Sequence, residues 1–99
     1  MAAVTRREVA TIVEQLILDI IATVRPLQPP NAIRLDEVLI EIGKSLLDPA
    51  IREHSFPVTE MWRFLMGLQI AGALTEDDLI IFSGTFRDCS LMLYPVNDD

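Results

Sequence analysis

The chain has 99 residues, 51% of them hydrophobic, and carries 8 Lys and Arg against 15 Asp and Glu for a formal charge of −7. That length supports one hydrophobic core, so residues 1–99 are expected to form a single domain with 1–4 and 95–99 as frayed ends. The lone Cys89 excludes an intrachain disulfide and a cysteine-built zinc site, charged residues interrupt every apolar run before it reaches membrane-spanning length, and the acidic balance disfavours nucleic acid.

Thr5-Arg6-Arg7-Glu8 has the form of a capping box, in which a Thr hydroxyl accepts from the amide three residues on and the Glu carboxylate reaches back. A helix is therefore predicted to start there and run to Val24, amphipathic rather than a secretion leader. Thr11, Glu14 with Gln15, Asp19 and Thr23 form one narrow polar stripe on an otherwise apolar cylinder. Val9, Val13, Leu16 and Ile20 can face the domain's own core. Ile12, Ile17 and Ile21 then project to another side, which suits a second copy of the chain; a central helix wrapped by its own chain is the alternative.

Arg25-Pro26-Leu27-Gln28-Pro29-Pro30-Asn31 reads as a connector, because proline lacks a donor amide and biases its predecessor to extended geometry. Ile33-Arg34-Leu35 alternates as a short strand would. Helical spacing follows at Val38, Leu39, Ile42 and Leu46, with Asp36 as the candidate N-cap. Asp48-Pro49 suggests one short helical turn, which Phe56-Pro57 interrupts. A third main helix is expected from Thr59 to Ala71, ended by Gly72.

Leu79 to Phe82 and Ser90 to Tyr94 are apolar and strand-favouring, and Ser83-Gly84 and Arg87-Asp88 between them are turn-compatible, so a C-terminal hairpin is expected. The alternative uses Thr75 as N-cap with Asp78 at the third helical position and makes residues 76–82 helical. The expected class is α+β, mostly helical, with three main helices, a short strand and a C-terminal β-hairpin; an all-α bundle is the alternative.

"AIRLDEVLIEIG" and "VTEMWRFLMGLQIAGAL", read as strand plus second helix and as third helix plus glycine turn, resemble the winged-helix fold over roughly residues 5 to 95. The segment "DPAIREHSFP" is longer than the tight turn of an ordinary helix-turn-helix. The resemblance implies a third helix able to enter the major groove, with Arg63 and Gln69 reading bases and Arg87 on the wing touching phosphate.

Catalytic and metal chemistry finds little support in the sequence. His54 and Cys89 show no ligand spacing, "FSGTF" lacks a nucleophile elbow, and no phosphate-binding glycine motif or calcium loop is present. The expectation is a cytoplasmic, non-enzymatic protein–protein interaction or regulatory module without metal or cofactor. It would form a homodimer through Ile12, Ile17 and Ile21 and dock an unidentified protein partner through Trp62 and Met66. A winged-helix DNA-binding regulator is the alternative.

Overall fold

The computed structural model describes residues 5–24, 34–51 and 55–93, which fold as four helices: α1 (Arg6–Thr23), α2 (Leu35–Leu47), α3 (Ser55–Ile70) and α4 (Glu76–Leu93). Each helix packs on its neighbour in the chain and α4 closes back on α1, so the four surround one core. Arg6 donates from a guanidinium nitrogen to the Leu47 carbonyl at 3.0 Å, which places the start of α1 beside the end of α2. It also puts a cation on an orphan carbonyl at a helix C-terminus, where the macrodipole favours positive charge. Leu35 of α2 shares a cleft with Leu68 and Ala71 at the end of α3, while Ile42 lies by Glu60 near its start. Successive helices are therefore antiparallel, as an up-down-up-down bundle requires.

Local chemistry explains the helix ends. The Thr5 hydroxyl accepts from the Glu8 amide at 3.1 Å, and the Glu8 carboxylate accepts from the Thr5 amide at 3.4 Å. Thr75 and Asp78 repeat the arrangement at α4, at 3.1 and 3.4 Å. At the end of α3, Ala73 donates to the Leu68 carbonyl at 2.8 Å and Gly72 to that of Gln69 at 3.0 Å. That pair of hydrogen bonds is a Schellman ending, and Gly72 occupies its left-handed position at φ 85°. Buried Leu68 and Ala73 close the turn hydrophobically.

Among the described residues there is no strand, so the α+β class and the winged-helix resemblance are both overturned and the all-α bundle is the class found. The expected hairpin is the body of α4. Leu79, Phe82, Phe86, Cys89 and Leu93 are buried at alternating steps of three and four, which only a helix places on one seam. The strand preference of Leu79 to Phe82 yields to this period and to the Thr75 cap. Ser83, read with Gly84 as turn-compatible, and Thr85 beyond it donate their hydroxyls to the carbonyls of Ile80 and Ile81 within the helix.

The expected strand at 33–35 is also absent where it can be seen: Arg34 is the N-cap of α2 and Leu35 its first residue, while Ile33 lies outside the described residues. Asp36 sits inside the first turn, its carboxylate accepting from the Glu37 amide at 2.9 Å. Asp48 to Ala50 form a turn rather than a helix, with the Asp48 carboxylate accepting from the Ala50 amide at 2.9 Å. Phe56-Pro57 opens α3 instead of interrupting a helix, since the first-turn amides have no intrahelical acceptor and a proline loses nothing there. The expected end of the hairpin at Tyr94, and His54, lie outside the described residues.

The core is formed by Val9, Val13, Leu16, Ile17 and Ile20 from α1, Leu39 and Leu46 from α2, Met61, Leu65 and Leu68 from α3, and the α4 seam. Each of the fully buried large side chains contributes about 1.5–3 kcal/mol. Gly43 lies buried where α2 meets α1. A Cβ there would stand 3.0 Å from Ile17 Cδ1 and 3.1 Å from Val13 Cγ1, so the glycine lets the two helices approach.

Candidate functional site

The α3 seam takes Pro57, Met61, Leu65 and Leu68 inward. Trp62 follows Met61, and one residue on a helix is a rotation of about 100°, which turns the indole off the seam and towards α4. On α4, Ile80, Gly84 and Arg87 recur at steps of four and three, one position round from the core seam. The two flanks meet in a groove lined by Val58, Thr59 and Trp62 from α3 and Ile80, Ser83, Gly84 and Arg87 from α4.

Trp62 is 43% exposed and Ile80 61% exposed, so the groove keeps large apolar surface in contact with solvent. Among the described residues no carboxylate lines it, in a chain of net charge −7, and the one charged residue in that lining is Arg87. A Cβ at Gly84 would meet nothing within 4 Å. Packing among the described residues therefore gives no reason for a glycine in the middle of α4, where it costs about 0.8–1.0 kcal/mol relative to alanine.

Other grooves flank the bundle among the described residues. The one between α1 and α2 is mostly apolar, with Ile17 and Gly43 in its lining, exposed Leu18 and Ile40 beside them, and Glu14, Asp36 and Lys44 as its charged residues. One between α2 and α3 carries five charged residues, Arg34, Glu37, Glu41, Glu60 and Arg63, beside apolar Val38, Ile42 and Phe64.

The residues expected to dock protein fall in three places. Trp62 lies in the α3–α4 groove, and Met66, one turn on, is half-buried against the core. Ile17 and Ile21 line the α1–α2 groove, Ile17 as a buried residue and Ile21 as a half-buried one, whereas exposed Ile12 is outside that lining. The residues expected to touch DNA do not form one surface. Arg63 faces the acidic α2–α3 groove and lies 3.7 Å from the Glu60 carboxylate, Arg87 belongs to the α3–α4 groove, and Gln69 is half-buried near the end of α3. With the wing replaced by α4, the scaffold that would have presented Arg87 to phosphate is absent.

Ile80 and Gly84 were assigned to a strand and a turn by their residue types. The signal that finds them is the run Ile80, Gly84, Arg87, Leu91, spaced as one stripe on a helix.

Cys89 is fully buried in the α4 seam, and burial first, then the neighbouring Asp88 carboxylate, pushes its thiol above the ordinary value of 9.0. A thiol held protonated and out of solvent is a packing group. Among the described residues no three His, Cys, Asp or Glu side chains converge as metal ligands, and no helix is long and apolar enough to cross a membrane. No protein-family model, curated protein or solved structure matches the chain.

Proposed function

We propose that the protein is a non-enzymatic docking module of the cytoplasm that binds a partner protein in the α3–α4 groove, with Trp62 as the anchor. The observation that carries this reading is the chain's only tryptophan, 43% exposed beside 61% exposed Ile80 in a groove that no carboxylate lines among the described residues. Aromatic side chains in a desolvated pocket dominate interface energies, and covering the exposed part of Trp62 and Ile80 returns about 25 cal/mol for each Å² of apolar surface removed from water. Arg87 at the same groove selects a partner that brings a carboxylate beside its apolar contact.

Affinity enrichment from native lysate, with wild type compared against Trp62→Ala and against Ile81→Ala, tests the reading. Ile81 is exposed on α4 but lies outside the groove lining, so it controls for general surface stickiness. Partners captured by wild type and Ile81→Ala should be lost with Trp62→Ala, and emission from the sole tryptophan should shift to shorter wavelength as the purified partner is added. Equal recovery by a correctly folded Trp62→Ala protein would overturn the assignment.

A further inference from the structure

The α1–α2 groove carries a pattern that the docking reading does not use. Along the exposed face of α2, Asp36, Ile40 and Lys44 follow one another at steps of four. Ile40 is 43% exposed and Leu18 of α1, in the same groove, is 55% exposed. The helical rise places Asp36 and Lys44 about 6 Å either side of Ile40, and about 12 Å from each other, too far to pair within one chain. The Asp36 carboxylate accepts only from the adjacent Glu37 amide among its described contacts, and no described residue pairs with Lys44.

Opposite charges at equal distances from an apolar centre are complementary to their own image turned end for end. A second α2 laid antiparallel across a two-fold axis at Ile40 sets Ile40 against its image, Asp36 against the image of Lys44, and Lys44 against that of Asp36. A parallel arrangement would set Asp36 on its own image and Lys44 on its own. We infer that the α1–α2 groove is covered by a second copy of this chain, in an isologous dimer centred on Ile40 with two symmetric Asp36–Lys44 pairs and Leu18 adding apolar contact at its flank. The floor of the groove, where Gly43 seats Ile17, stays part of each chain's own packing.

The test is a charge exchange read by sedimentation velocity, with circular dichroism as the check of folding. Wild type should pass from monomer to dimer between roughly 1 and 200 µM, the range of a modest interface. Asp36→Lys and Lys44→Asp should each weaken association about tenfold or more, because every mismatch is made twice across the axis. An equimolar mixture of the two variants should form heterodimers at wild-type concentrations, and the doubly exchanged chain should recover homodimers. A wild type that remains monomeric throughout the range, folded reversals that dimerise as wild type does, or a mixture of folded variants that stays monomeric would each overturn the proposal. Where a reversal fails to fold, exposed Ile40→Arg decides: it should be monomeric, and a dimer that survives it uses another face.

Discussion

The two hairpins of the bundle solve the same packing problem in different ways. Between α1 and α2 the contact is close, with β-branched Val13 and Ile17 set against the bare backbone of Gly43. Between α3 and α4 the buried side chains are bulky, Met61 and Leu65 from one helix and Phe82 and Phe86 from the other, and an added Cβ at either of the pair's helical glycines, Gly67 or Gly84, would meet nothing within 4 Å. A glycine in a helix is thus explained within the chain in the first pair and left unexplained within it in the second. The turns differ as well: α3 and α4 are joined through a Schellman ending and a capping box within residues 71–75, while the long connection after α1 has no equivalent double cap among the described residues.

The largest test of this contrast is in the core. Phe86 is fully buried, and Phe86→Ala should lower unfolding free energy by about 3–5 kcal/mol in urea denaturation, because the cavity it leaves adds to the lost transfer energy. Ile20→Val, at an equally buried position on α1, removes one methylene and should cost about 0.5–1.5 kcal/mol. A loss well below about 3 kcal/mol for Phe86→Ala would mean that the α4 seam collapses around the deleted ring instead of keeping a cavity.

Legibility in the sequence followed the same division. The α1 cap at Thr5 and Glu8, the inward set Val9, Val13, Leu16 and Ile20, and the Gly72 stop were all readable, because each depends on residues within a turn or two of one another. α4 was read first as a hairpin because Ile80, Ile81 and Phe82 favour strands and Ser83-Gly84 favours a turn. What decides for the helix is the seam from Leu79 to Leu93, whose value exists only when three other helices supply the core it faces. Trp62 was legible as a candidate docking residue, but its neighbours Ile80 and Gly84 were not, since they reach it only once α4 is a helix.

The close α1–α2 approach can be broken at Gly43. A leucine there must displace Val13 Cγ1 and Ile17 Cδ1, which already stand 3.0–3.1 Å from where its Cβ would be. Gly43→Leu should destabilise by about 1–3 kcal/mol in the same denaturation assay, with α1 and α2 amides losing hydrogen-exchange protection before those of α3 and α4. Uniform loss across the four helices would place the two pairs in one cooperative unit. At the α3–α4 turn, Gly72→Ala forces a Cβ into the left-handed region at φ 85° and should cost about 1–2 kcal/mol, although no atom lies within 4 Å of the added carbon. The loss there is conformational, so Gly72→Asn, which tolerates that region better, should recover part of it.

Gly84→Ala is the smallest change and separates folding from binding. The added methyl meets nothing within 4 Å in the folded chain and the site is helical, so the substitution should stabilise by about 0.8–1.0 kcal/mol, seen as a raised denaturation midpoint with unchanged slope. Gly43→Ala, by contrast, combines the same gain in helix propensity with contacts at 3.0 and 3.1 Å, so its stabilisation should be smaller or reversed. If the α3–α4 groove seats a partner closely over Gly84, each methyl or larger group added at that position occupies space the partner needs. Gly84→Ala and then Gly84→Leu should weaken capture progressively while the first of them strengthens the fold. A stabilised Gly84→Ala protein that binds every Trp62-dependent partner as wild type does would show that the open space above Gly84 is not where the partner lies.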